Sequence, residues 1–304
     1  MITTYRLDAF TPARICTKLK QERNETISVV LPALNEASTI GSIIGSIRQF
    51  TEATGLVDEI IVMDGGSTDA TVQCAENAGA RVVDVGSSDP AVAGSGKGVA
   101  LWKAQFVATG SIIIFIDADL LDFDERFILG LAGTLLHDDR LELVKASYRR
   151  PLVNGAATIE DNGGRVTELF LRPLLNLFLP DLAMIRQPLA GEYAVRARSL
   201  ATMPFYCGYG IETALLLEYY FAGGLPAIGQ VDVGIRTHRN RPLPELSRMA
   251  SEIGAVFFKL LEEHNYCTNR RINTTISAVM QSGEPVRHEI AAKRLPPKNT
   301  FTGI

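Results

Sequence analysis

The sequence predicts an α/β fold: a doubly wound, mostly parallel sheet, mixed in its later part, with a smaller C-terminal lobe. Three observations carry this reading. Ile112-Ile113-Ile114-Phe115-Ile116 is an unbroken run of β-branched and aromatic residues, the pattern of a strand buried on both faces. Comparable short runs alternate with stretches whose apolar residues recur at helical spacing, as βα units do. Several runs end in polar or acidic loops, and in an open α/β sheet ligands sit outside the carboxyl ends of the strands.

Residues 1–25 are polar and irregular and read as an N-terminal arm. Thr26–Leu34 reads as the first strand and Glu36–Phe50 as the first helix, with Ile40, Ile43, Ile44 and Ile47 on one face. Asp58–Asp64 is the second strand, Thr68–Ala78 a helix and Arg81–Val85 a short third strand. Gly98–Ala108 is a helix with the single tryptophan, Trp102, and Ser111–Ile116 is the fourth strand. Right-handed crossovers follow from chain chirality. After Asp119 the pattern is mixed: a helix over Phe127–Leu136, a strand over Glu142–Tyr148, and Asn162–Leu179 as a loop leading into a long helix. A strand at Gly191–Arg196, a helix at Ile211–Phe221, a strand at Ala227–Ile235 and a helix at Leu246–Glu263 complete the series. The last dozen residues are polar and rich in Pro and Lys, and read as a loose tail.

The chain has 304 residues, enough for one large α/β domain with a sizeable core, and 46% of them are hydrophobic. A formal net charge of −4 argues against a nucleic-acid binder, whose footprint is basic. Cys16, Cys74, Cys207 and Cys267 are far apart, with no CxxC, so reduced thiols in a cytoplasmic protein are expected rather than a disulfide framework or zinc site. The N-terminus shows no signal-peptide pattern. The most membrane-like segment, Leu169–Ile185, is interrupted by Arg172, Pro173, Asn176, Pro180 and Asp181, so no stable membrane anchor is expected.

The chemistry starts from Asp117 and Asp119. Carboxylates at i and i+2 on a strand end point to the same side and repel, so they require a cation, a proton or a cluster of donors between them. A divalent metal carrying a phosphorylated ligand meets that need economically. Two further loops, Pro32-Ala33-Leu34-Asn35-Glu36 and Asp64-Gly65-Gly66-Ser67-Thr68-Asp69, lie at the same predicted edge, and Ser67 or Thr68 is expected to cap the next helix with Asp69 in its first turn. Gly94-Ser95-Gly96-Lys97-Gly98 lacks the Walker spacing, yet a Gly-rich loop with a lysine before a helix suits a diphosphate. His238 lies among Arg236, Arg239 and Arg241, whose charges favour a neutral, metal-ligating imidazole. Gly163-Gly164-Arg165-Val166-Thr167-Glu168 opens a helix and offers backbone N–H groups and a guanidinium to an anion. Gly208-Tyr209-Gly210-Ile211-Glu212 opens another helix.

In order, PALNE, DGGSTD, GSGKG and FIDADL resemble the GT-A class of nucleotide-sugar glycosyltransferases. YRRP (148–151), GGRVTEL (163–169), RPLL (172–175), QPLAGEY (187–193), GYGIE (208–212) and HRNRPL (238–243) narrow the resemblance to the glucosyl- and mannosyl-3-phosphoglycerate synthases. The resemblance implies a GT-A fold with a nucleotide-sugar-binding half at 26–122, an acceptor-binding half at 123–265 and a tail at 266–304. It implies that Pro32, Ala33, Leu34 and Glu36 contact the nucleoside, with Glu36 on the ribose and Gly65, where a serine is common, against the base. Lys97, Asp117 and Ala118 would bind the nucleotide end. Asp119 and His238 would hold Mg²⁺ or Mn²⁺, and Gly164, Arg165, Thr167 and Asn240 would hold D-3-phosphoglycerate. Tyr209 and Glu212 would line the sugar pocket; Leu189 of QPLAGEY joins Asp119, Lys97 and Glu212 as a catalytic position. The activity implied is metal-dependent transfer of glucose from a nucleoside-diphosphate sugar, UDP-glucose first, to the 2-hydroxyl of the acceptor, with retention of configuration, in a homodimer. Transfer from GDP-mannose, or to a polyprenyl phosphate, stays open at this point.

Overall fold

The structure, a computed structural model, describes residues 2–86, 96–150, 152–154, 157–159, 164–236, 242–266, 275–279, 285–289 and 294–300. Its strands in chain order are β1 (Thr3–Arg6), β2 (Ile27–Ala33), β3 (Glu59–Asp64), β4 (Arg81–Asp84), β5 (Ile112–Phe115), β6 (Leu143–Arg149), β7 (Leu152–Asn154), β8 (Ala157–Ile159), β9 (Tyr193–Arg196), β10 (Phe205–Tyr206), β11 (Ile228–Ile235), β12 (Thr275–Val279), β13 (Pro285–Glu289) and β14 (Arg294–Leu295). The helices are α1 (Arg14–Glu22), α2 (Ile40–Thr54), α3 (Thr71–Asn77), α4 (Lys97–Val107), α5 (Arg126–His137), α6 (Arg172–Phe178), α7 (Ala197–Leu200), α8 (Ile211–Gly223) and α9 (Leu243–Glu263).

Among the described residues the main sheet has eight strands in the order β1-β11-β6-β9-β5-β2-β3-β4. The pairs β1·β11, β11·β6, β5·β2, β2·β3 and β3·β4 are parallel, whereas β9 runs antiparallel to both β5 and β6. This reversal fixes the position of the site. The carboxyl ends of β2, β3, β5, β6 and β11 open on one edge, and the turn that enters β9 arrives at that same edge.

Burial on both faces explains the apolar runs. Along β5, Ile112 and Ile114 join one core cluster with the apolar face of α2 and α5, while Ile113 and Phe115 join the other with Trp102 of α4 and Phe257 of α9. Along β2, Val29 and Leu31 face the first cluster and Val30 the second. Alternation places successive side chains on opposite faces, and each fully buried isoleucine contributes about 1.5–3 kcal/mol. The polar/apolar alternation of a one-faced strand is therefore absent.

Several expectations need correction. Residues 1–25 are not an irregular arm: β1 pairs in parallel with β11 at the sheet edge, and α1 packs on α5. Four residues are too short for a period of two to be legible. The helix expected from Thr68 starts at Thr71, and its first-turn donor is met by Asp69, whose carboxylate accepts from Thr71 N–H at 3.0 Å. Ser67 accepts instead from Asn35 N–H at 2.9 Å, and Asn35 Oδ1 accepts from Thr68 N–H at 2.8 Å, so the residues expected to cap the helix staple two loops together. The long helix expected after residue 162 is present as an unbroken helical stretch over 165–178, with a π-helical turn at Thr167–Leu171 leading into α6, and Pro180 then begins a 3-10 turn. Part of the tail expected to be loose is docked: β14 pairs with β10, and Trp102 Nε1 donates to Pro296 O at 2.7 Å. Among the described residues no helix is long and apolar enough to cross a membrane.

Candidate active site

Asp117 and Asp119 leave the end of β5 and both accept from one guanidinium. Arg236 Nη2, in the residue just after β11, lies 3.1 Å from Asp117 Oδ2 and 3.4 Å from Asp119 Oδ1. It also lies 2.9 Å from Glu192 Oε1, in the turn before β9. Arg236 is 3% exposed and Glu192 is fully buried. The other Glu192 oxygen accepts from Tyr148 Oη at 2.7 Å, at the end of β6. Burial pushes the Glu192 carboxyl above its ordinary range even beside Arg236, and pushes the Tyr148 phenol up, helped by the Glu192 charge. Burial works against the Arg236 charge, but Glu192, Tyr148, Asp117 and Asp119 outweigh it and hold the guanidinium charged.

A second cation enters from the other side. Lys97, the first residue of α4, donates to Asp117 and lies 2.7 Å from Glu212 Oε1 in the first turn of α8. Burial lowers its affinity for a proton, but the charges of Asp117 and Glu212 outweigh that and raise its pKa well above the ordinary lysine value. The same neighbours act in reverse on Asp117: burial raises its pKa, and Lys97 and Arg236 together hold it well below the usual carboxylate range. The two carboxylates at the end of β5 thus carry two counter-cations, Arg236 on both and Lys97 on Asp117. One cation between Asp117 and Asp119 is Arg236, a residue read in the sequence only as part of a basic loop.

Two glycines permit this packing. A Cβ on Gly98 would run into the carbonyl of Tyr206, so α4 reaches the Tyr206–Gly208 segment only through a missing side chain. A Cβ on Gly191 would fall on the Asp117 carboxylate. Replacing Gly191 by alanine should therefore displace Asp117 and lower kcat/KM by at least about tenfold, the scale on which misplacement of a catalytic group acts. Steady-state kinetics of a variant whose Tm stays near wild type would test it, and unchanged kinetics would refute the contact.

The other expected positions fall as follows. Pro32 and Ala33 end β2, Leu34 is exposed, and Glu36 follows the stapled turn; Gly65 begins the loop after β3, with its N–H donating to Ala33 O at 2.8 Å. Ala118 is buried between the two aspartates, and its carbonyl accepts from Thr39 Oγ1 at 2.6 Å. Leu189 sits partly buried in the turn closed by Ala190 N–H donating to Gln187 O at 3.0 Å, and Lys145 Nζ braces that turn by donating to Ala190 O at 2.6 Å. Tyr209 N–H donates to Glu252 of α9 at 2.9 Å, which fixes the start of α8. Gly164, with φ +76°, precedes Arg165 and the buried Thr167. His238 and Asn240 lie outside the described residues, as do Ser95 and Gly163.

Sequence reading missed Arg236, Glu192, Tyr148 and Lys145. The signal was present for Arg236 and Tyr148, which are polar groups at the carboxyl ends of predicted strands, as Asp64 and Asp117 are. Glu192 stood in the QPLAGEY motif without a role of its own, and Lys145 gave no signal, because it is buried within a strand.

The fold and the paired aspartates define a glycosyltransferase. The chain matches the model of glycosyl transferase family 2 over residues 28–151. Over 229 residues it is 48% identical to glucosyl-3-phosphoglycerate synthase of Mycolicibacterium smegmatis, covering 75% of each chain. Glucosyl-3-phosphoglycerate synthase of Mycobacterium tuberculosis, solved with Mn²⁺, UDP-glucose and phosphoglyceric acid, superposes with a TM-score of 0.84 at 38% identity, over 98% of both chains. Mannosyl-3-phosphoglycerate synthase of Rubrobacter xylanophilus superposes with a TM-score of 0.89 at 33% identity, over 98% of this chain and 96% of that one. The chain belongs to the glucosyl-3-phosphoglycerate synthase family and has its GT-A fold.

Proposed function

We propose that this protein transfers glucose from UDP-glucose to the 2-hydroxyl of D-3-phosphoglycerate, giving glucosyl-3-phosphoglycerate. The observation that carries the reading is the convergence of Lys97, Asp117, Asp119 and Glu212 on one edge of the sheet, in a chain 48% identical to a glucosyl-3-phosphoglycerate synthase.

The PALNE turn and Gly65 hold the nucleoside, with Glu36 on the ribose. Lys97 is set to follow the diphosphate: its position at the start of α4 adds the helix dipole to its own charge. The Asp119 carboxylate fits Mg²⁺ or Mn²⁺, since it is a hard oxygen donor on a side chain that is 26% exposed beside buried partners. His238 is the second ligand of this reading. A divalent cation bound there supplies several kcal/mol by neutralising charge on the departing diphosphate. Tyr209 and Glu212 line the sugar, Leu189 lies in the turn below it, and Gly164, Arg165, Thr167 and Asn240 hold the acceptor so that its hydroxyl meets the anomeric carbon. Asp117, Asp119, Glu192 and Glu212 are all ion-paired, which favours front-face attack with retention over a covalent carboxylate intermediate. The enzyme works in the cytoplasm as a homodimer; Leu169, Leu177, Met184 and Leu243, large apolar side chains left exposed on segments that pack together around α6 and α9, supply a face for the second copy.

A donor panel tests the reading. With D-3-phosphoglycerate and Mn²⁺ or Mg²⁺, UDP should be released from UDP-glucose faster than GDP from GDP-mannose. Release from GDP-mannose alone would move the chain to mannosyl transfer, and release with a polyprenyl phosphate but not D-3-phosphoglycerate would overturn the acceptor. Arg165→Ala should raise the acceptor KM by about tenfold or more, the loss expected for a charge-assisted contact, with little change in UDP affinity. Equal weakening of both would argue against its acceptor role.

A further inference from the structure

Two guanidinium groups flank the Tyr148 ring: Arg236, with its Cζ 5.6 Å from the ring centroid, and Arg150, at 6.0 Å. Arg236 touches three carboxylates. Arg150 makes no ion pair among the described residues, and its buried Nε has no hydrogen-bond partner. Desolvating a cation without a counter-ion is costly, and native proteins do so where a ligand completes the site. Its surroundings say which ligand. The Arg150 Cδ lies 3.8 Å from where a Cβ on Gly164 would sit, as does Thr167 Cβ, so Arg150 borders the acceptor loop. Its other neighbours are Tyr148, Arg236, Glu192 and Asp117, the groups of the acidic cluster. Burial depresses the Arg150 pKa and the nearby Arg236 charge adds to this, while Tyr148, Glu192 and Asp117 compensate only in part.

Arg150 therefore stands between the loop assigned to the acceptor and the reaction centre. In D-3-phosphoglycerate the phosphate is at one end, and the carboxylate is on the carbon next to the reacting hydroxyl. We propose that Arg150 binds the acceptor carboxylate through its planar fork of donors and so orients the 2-hydroxyl, while Arg165 and the Gly164 loop take the phosphate. This rests on the acceptor reading given above.

The test compares two acceptors on the full chain with UDP and Mn²⁺ present: D-3-phosphoglycerate, and glycerol 3-phosphate, which lacks the carboxylate. By calorimetry, Arg150→Gln should weaken D-3-phosphoglycerate about 100-fold, the scale for removing one partner of a desolvated charge pair, and glycerol 3-phosphate less than about threefold. The ligand-free Tm of this variant should equal or exceed that of wild type, because Arg150 is desolvated without an ion pair among the described residues; a merely structural arginine would lower it. Equal losses for both acceptors, or no loss for either, overturn the assignment. Should Arg150→Gln fail to fold, Arg150→Lys keeps the charge without the fork and should still weaken D-3-phosphoglycerate selectively; unchanged affinity for both acceptors overturns the proposal. A wild-type chain that binds neither acceptor overturns the functional reading and this proposal with it. One that binds both, with variants that do not discriminate, overturns only the role of Arg150.

Discussion

Replacing Asp119 by alanine should lower kcat by more than about 100-fold, the cost of removing a main electrostatic stabiliser from a preorganised site. The fold should survive. Asp119 is the outermost of the carboxylates on Arg236, at 3.4 Å, and Asp117 and Glu192 keep the guanidinium in place when it is lost. The variant should thus melt close to wild type while its affinity for Mn²⁺ in the presence of UDP falls. Both readouts matter. A low rate with unchanged Mn²⁺ affinity would place Asp119 outside the metal site. A near-normal rate at saturating metal would remove it from catalysis altogether.

Arg236→Gln should produce the largest stability loss at the site. Glu192 is fully buried, and the amide cannot supply the charge that Arg236 provides at 2.9 Å. Breaking a buried pair from one side costs about 3–5 kcal/mol, with the Tyr148 hydroxyl offsetting part of it. The sign of the pH dependence follows. Without the guanidinium, the folded-state pKa of Glu192 rises further above the unfolded value of about 4.3. A carboxyl with a raised folded pKa contributes stability below the unfolded pKa and loses it as pH rises through the folded pKa. The deficit relative to wild type should therefore be small near pH 5 and grow toward pH 8. Urea unfolding at the two pH values measures it, and a deficit independent of pH would show that Glu192 is not the group left uncompensated.

How much of this was legible depends on the range of the interaction that encodes each feature. The βα series from Thr26 to Ile116 was readable because burial on both faces forces unbroken apolar runs and helices leave a 3.6-residue period; the boundaries moved by a few residues. The start of α3 was misread because Ser67, Thr68 and Asp69 are all good capping residues. The choice between them was made by Asn35, which is 33 residues from Thr68 and takes up its N–H. Strand β1 was illegible because four residues carry no period, and what holds them is β11, more than 220 residues away. Asp117, Asp119, Lys97 and Glu212 were recognisable as a set by motif order, but their ion pairs were not.

Local chemistry wrote into the sequence everything that acts over a few residues: the alternation of elements, the acidic ends of β3 and β5, the lysine opening α4 and the glycines that thin the backbone at the site. Which side chains share the charge of two carboxylates at a strand end is a different kind of question. It depends on Arg236, 117 residues beyond Asp119, and on a reversed strand that brings Glu192 underneath. Charge compensation in a buried site is a through-space balance, and only the tertiary structure, by placing β5, β6, β9 and β11 side by side, decided which charges balance.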